Sequence, residues 1–199
     1  MEQKIRENEK IQKINKSKWS GKHQKKTSRN RQYSKTQQKI IEKAEKMPLK
    51  KSDLVKLLKN CPNFVGIFAE DELKQCHIVK FPAFIIVNID SSNQPGSHWI
   101  CLRIGRIDVE IFDSLGFCPN LWVNFPTNLF QFLSYYSLSH NILISPVLQP
   151  PNTVYCGLFA VYFIQFRQAH TFSTCISRFS RRLEQNFHIL FELLLHFKL

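Results

Sequence analysis

No Cys-x-x-Cys pair occurs among the six cysteines, at 61, 76, 101, 118, 156 and 175. That absence argues against a structural zinc site, which draws its ligands from closely spaced pairs. The scatter also argues against a disulfide framework, so most of these thiols read as reduced and buried small hydrophobes. No apolar run is long or continuous enough to span a bilayer. Met1-Glu2-Gln3-Lys4 leads into no apolar core, so an intracellular and not a secreted protein is expected. Internal repeats are absent. Acidic residues are scarce, 15 against 28 Lys and Arg, giving a formal net charge of +13.

That charge is unevenly placed. Residues 1–51 carry 17 Lys or Arg against 5 acids, whereas the rest of the chain is nearly balanced. With few apolar clusters, the first quarter cannot offset its own ordering entropy. Residues 1–48 are therefore expected to form a basic tail, disordered or partly helical, and residues 49–199 the folded body. A segment this basic suits a polyanion, nucleic acid first among them. A purely solubilising extension is the competing reading.

Within the body, Ser52 is a candidate cap for a short helix carrying Leu54, Leu57 and Leu58. Residues 63–68 read as a short strand or loop, 83–89 (AFIIVNI) as a buried strand, and 141–148 as another strand. Pro126 starts a helix reaching about Tyr136. The run from Cys156 to about Gln168 is apolar on every side, which marks a central buried helix. One or two further helices follow Thr174. The pattern predicts an α+β fold, a central mixed sheet with the Cys156 helix buried against it and other helices around.

Four residue types compatible with thiol chemistry lie in this body. Taking Gly105-Arg106 as a two-residue turn pairs Ile104 with Ile107, Leu102 with Val109 and Ile100 with Ile111 on one face. Arg103 then faces Asp108 and Trp99 faces Phe112 on the other, while Cys101 against Glu110 is neutral to the scheme. The same register sets His98 directly across from Asp113, where a carboxylate fixes the tautomer of an imidazole. Unaided, this pair is equally well an ordinary polar pair at a hairpin mouth.

Cys156 stands where a loop containing Pro150, Pro151 and Asn152 gives way to a helix. The helix dipole and a nearby imidazolium both favour the thiolate, the nucleophilic form. Gly157 leaves space beside the sulfur for a substrate backbone. Gln149, seven residues upstream, is placed to donate its amide to an oxyanion together with the Cys156 N–H. Taken singly, Cys156 reads as a buried helix cysteine and Gln149 as a loop amide. Their joint occurrence with a His–Asp pair predicts a cysteine endopeptidase that needs no metal or organic cofactor.

The strings GSHW, FDSLGF and QPPN-x-x-x-CGLF, with LLKNCPNFVGIF upstream, resemble the adenovirus-type cysteine proteases (adenain family) and their relatives in large DNA transposons and viruses. These share a fold group with the SUMO- and ubiquitin-like-protein proteases. The resemblance covers about residues 52–168 and implies a papain-like or adenain-like fold. It assigns Cys156 as nucleophile, His98 as general base and acid, Asp113 as orienter and Gln149 as oxyanion donor. It further implies protein substrates, capsid or other precursor proteins of a virus or transposon cut beside Gly or small residues, in the host nucleus or the virion. A DNA or peptide activator is implied as well, with the basic tail a candidate for the DNA contact. Adenoviral enzymes carry Glu where this chain has Asp113. Their activating peptide is disulfide-linked to a cysteine for which this chain has no counterpart between Cys118 and Cys156. Two alternatives stand beside this reading: a SUMO-type modifier protease, and a nucleic-acid-binding protein on an inactive protease-like body.

Overall fold

The computed structural model describes residues 33–117 and 126–196; most of the basic segment and Cys118 lie outside them. Five strands form one mixed sheet in chain order: β1 (Phe64–Ala69), β2 (Ala83–Asn88), β3 (Trp99–Ile104), β4 (Asp108–Phe112) and β5 (Asn141–Ile144). The outer pairs β1–β2 and β4–β5 are parallel, and β2–β3 and β3–β4 are antiparallel. A parallel neighbour needs a crossover. A 3₁₀ turn at Glu70–Gln75 lies between β1 and β2, and helix α3 (Thr127–Ser137) lies between β4 and β5. The α+β architecture expected from the sequence is the one observed.

Every residue of β2 is buried, because the sheet is covered on both sides. Phe84 and Ile86 point into one cluster with Cys101 and Phe112, whereas Ile85 and Val87 join Ile100, Leu102, Ile104, Val109 and Ile111 in the other. Alternation of side chains along a strand produces this division. The second cluster is closed by Leu73 of the 3₁₀ turn and by Leu129 and Leu133 of α3. The first is closed by α1 (Lys35–Lys43), α2 (Lys51–Leu58), α4 (Cys156–Phe166), α5 (Phe172–Ile176) and α6 (Asn186–His196).

Helix α4 is the axis of that layer, with all eleven residues buried. Phe163 stacks on Phe112 at 4.4 Å between centroids and meets Phe84 edge-on at 6.4 Å. Burying each such side chain contributes about 1.5–3 kcal/mol. The stack seats the helix across β3 and β4.

The basic segment ends earlier than expected. Ser34 and Gln37 make a reciprocal capping box, with Gln37 N–H to Ser34 Oγ at 3.3 Å and Ser34 N–H to Gln37 Oε1 at 3.0 Å. Helix α1 then buries Ile40 and Ile41 in the core. Tyr33 Oη donates to Gln165 Oε1 on α4. Tyr33, Ile40, Ile41 and Ala44, all within the segment expected as a tail, therefore pack against the body. Helix α2 likewise starts before Ser52; its cap is Lys50, whose N–H is accepted by the Asp53 carboxylate at 3.3 Å.

The hairpin register also differs. The observed pairs are Ile104 with Val109, Arg103 with Glu110, Leu102 with Ile111 and Cys101 with Phe112. Gly105 N–H bonds Asp108 C=O at 2.8 Å, so the turn residues are Arg106 and Ile107 instead of Gly105 and Arg106. The pairing slips by two residues, which preserves the face of every side chain. Continuing this register sets Asp113 opposite Ile100, and His98 lies one diagonal step away.

Candidate active site

The diagonal is short enough for an imidazole to bridge. His98 Nε2 donates to Asp113 Oδ1 at 2.7 Å, and both side chains are buried. Asp113 is held at its backbone and at Oδ1, while Oδ2 is buried with no hydrogen-bond partner among the described residues. Ser145 Oγ accepts the Asp113 N–H at 2.9 Å and donates to its carbonyl at 2.8 Å. Leu115 N–H donates to Asp113 Oδ1 at 2.9 Å, and Gly116 N–H to its carbonyl at 3.1 Å.

The turn closing under Asp113 requires Gly116, which has φ +88 and an ideal Cβ only 2.6 Å from Val147 Cγ2. Gly116→Ala is expected to destabilise the protein by about 1–3 kcal/mol. Calorimetry should show this as a melting temperature lower by roughly 2–12 °C; an unchanged melting temperature would mean that the turn relaxes around the methyl group.

Cys156 is the first residue of α4, behind an N-cap Tyr155 that offers no side-chain bond. Its N–H therefore has no intrahelical partner, and the positive end of the dipole lies at the sulfur. The Cys156 thiol lies close enough to the His98 ring to act on its titration, together with Asp113. Since Nε2 serves the carboxylate, Nδ1 is the nitrogen left for sulfur. Burial alone would lower the His98 pKa, but the bond to Asp113, the nearby Cys156 and the charges of both outweigh it and raise the value to about 9. Burial pushes other thiols the opposite way from reactivity, Cys76 up to about 11 and Cys175 to about 12.

His98, Trp99 and Cys156 line one cavity of about 650 Å³ together with Leu115, Thr153 and Val154. Met47, Pro48 and Leu49 supply another part of the wall, so residues expected in a tail border the candidate site. Trp99 is held by its indole N–H on the Leu49 carbonyl at 3.0 Å. Gly157 serves packing instead of substrate access: a Cβ there would stand 3.1 Å from Leu49 Cβ and 3.4 Å from Trp99 Cδ1.

Gln149 does not line the cavity. It is fully buried, with Oε1 accepting from Ser114 Oγ at 2.7 Å and Nε2 donating to the Thr153 carbonyl at 2.9 Å. The structure thus joins His98 to Asp113 directly, sets Cys156 on the same cavity wall as His98, and ties Gln149 to Ser114, which follows Asp113, and to Thr153 of that wall. Sequence reasoning missed Ser114 and Ser145; nothing but adjacency to Asp113 marked the first, and nothing marked the second. Among the described residues, no group of three or more His, Cys, Asp or Glu is placed to hold a metal ion, and no helix is long and apolar enough to cross a membrane.

A thiol at a helix N-terminus and a buried imidazole–carboxylate pair thus meet at one cavity of an α+β scaffold. No protein-family model and no curated protein matches the chain. Among solved structures, it is similar to SUMO protease Ulp1 with its catalytic cysteine oxidized to a sulfinic acid, at 16% identity, covering 85% of this chain and 98% of that one, TM-score 0.41. It is similar also to the C-terminal Ulp1 protease domain in complex with Smt3, the yeast ortholog of SUMO, at 16% identity, 85% and 98% coverage and TM-score 0.39.

Proposed function

We propose that this protein is a cysteine endopeptidase acting through Cys156, His98, Asp113 and Gln149. The observation that carries the reading is the buried 2.7 Å His98–Asp113 pair sharing the wall of a 650 Å³ cavity with Cys156. The Cys156 thiolate attacks the scissile carbonyl, and the oxyanion takes hydrogen bonds from the Cys156 N–H and the Gln149 amide, which lies buried behind Thr153 of the cavity wall and is reached as substrate enters. Collapse forms the thioester and breaks the C–N bond, with the His98 imidazolium giving its proton to the leaving amine. Neutral His98 then takes a proton from water, which attacks the thioester and releases the acid. No metal or organic cofactor takes part in this scheme.

The substrates we propose are precursor proteins of a virus or transposon, cut beside Gly or other small residues. The resemblance of the GSHW, FDSLGF and CGLF strings supports this, and the basic residues before Tyr33 support a DNA contact in the nucleus or virion. The test is the pH dependence of iodoacetamide alkylation at Cys156, read by mass spectrometry in wild type and His98→Ala. Alkylation persisting well below the ordinary thiol pKa of about 8.5, and lost with His98, is expected. A Cys156 no more reactive than Cys76 or Cys175, with and without DNA, would sink the reading. Capture by suicide probes built on ubiquitin-like modifiers, without cleavage of Gly-containing peptides, would reassign the substrate to a modifier.

A further inference from the structure

Gln149 carries the oxyanion role only if one particular end of its amide is kept available. An amide has two hydrogens on nitrogen and none on oxygen, so a flipped or mobile side chain loses the donor. The Thr153 carbonyl, which accepts only, takes one Nε2 hydrogen at 2.9 Å. Thr153 is itself held by its hydroxyl on the Pro150 carbonyl at 2.7 Å. The oxygen end is then directed to Ser114, whose hydroxyl donates to Oε1 at 2.7 Å in a fully buried setting. The Ser114 carbonyl also accepts the N–H groups of Leu148 and Gln149, both at 2.8 Å. One residue therefore fixes Gln149 at backbone and side chain, and it directly follows Asp113.

We infer that Ser114 is a positioning residue that orients the Gln149 amide for the oxyanion, so that one turn, Asp113-Ser114, sets both the His98 base and the Gln149 donor. This rests on the peptidase reading above. Without the Ser114 hydroxyl, Oε1 is a buried acceptor with no donor, and the amide gains by rotating away from its present pose.

The test compares two reactions of the same sulfur. Hydrolysis of N-acetylglycine p-nitrophenyl ester passes through a tetrahedral oxyanion; alkylation by iodoacetamide does not. Ser114→Ala is expected to lower kcat for the ester about tenfold with KM unchanged, leaving the rate and pH profile of Cys156 alkylation as in wild type. Gln149→Ala should cost about 10²–10³ in kcat. Adding Ser114→Ala to Gln149→Ala should cost nothing more, because the first acts through the second. Ser114→Thr, which keeps the hydroxyl, should recover the ester rate. Equal losses in ester hydrolysis and alkylation, or additive losses in the double variant, would overturn the positioning role and mark Ser114 as merely structural. Wild-type ester hydrolysis with Ser114→Ala at the same kcat would overturn it while the peptidase reading stands. Wild-type protein with no His98-dependent ester hydrolysis would overturn both.

Discussion

Replacing His98 with alanine is expected to slow acyl transfer from Cys156 by about 10⁴-fold or more, because base, acid and ion-pair partner are lost together. A second readout is independent of substrate. His98 has a folded-state pKa of about 9 against an ordinary 6.5, so the folded protein binds the extra proton between those values. The associated stability is fully present below pH 6.5 and is lost as pH rises towards 9, on the order of 3 kcal/mol in all. Wild-type melting temperature should fall across that window. His98→Gln, which keeps an N–H for the buried Asp113, should lack this fall while remaining catalytically dead. Parallel pH profiles for the two proteins would show that no imidazolium is held at the site. For the same reason peptide hydrolysis should decline as pH passes about 9, where the proton donor to the leaving amine disappears.

The residues proposed for the chemistry could be singled out in the sequence because each sits in a local context that constrains it: a hairpin end, a turn and a loop before an apolar helix. What was not legible depended on partners far along the chain. Both candidate hairpin registers keep Ile100, Leu102 and Ile104 on the face of Val109 and Ile111, so hydrophobic patterning could not choose between them. The deciding contacts are polar. Arg103 Nη1 reaches Asp108 at 3.0 Å and Glu110 at 3.1 Å, and Glu110 is also held by Arg167, which is 57 positions away. The expected register set Glu110 against Cys101, a pairing neutral to it, whereas the observed one gives Glu110 the Arg103 guanidinium. Helix α1 was hidden for another reason. Two isoleucines among lysines do not alter a composition average, although Ser34-x-x-Gln37 is a readable capping box.

The buried charge that misled the register is also where the largest stability loss is expected. Glu110 is wholly inaccessible, and the Arg103 and Arg167 side chains beside it are only 13% and 18% exposed. Arg167 binds it through Nε at 2.9 Å to Oε2 and Nη2 at 2.7 Å to Oε1, a bidentate arrangement of the stronger kind. Arg167 is also the C-cap of α4, where a cation complements the helix dipole. The network thus ties the helix that begins at Cys156 to the strand that runs into Asp113. Glu110→Ala would leave two guanidinium groups facing each other without their shared carboxylate, and a cost of about 3–5 kcal/mol is expected in urea denaturation. The penalty comes from stranding the charges, not from the net worth of the pairs. Replacing all three residues together by Leu or Met of similar volume should therefore recover much of the loss. A Glu110→Ala protein within about 1 kcal/mol of wild type would mean that both arginines find water or other acceptors, and that packing around Phe112 and Phe163 alone aligns α4 with β4.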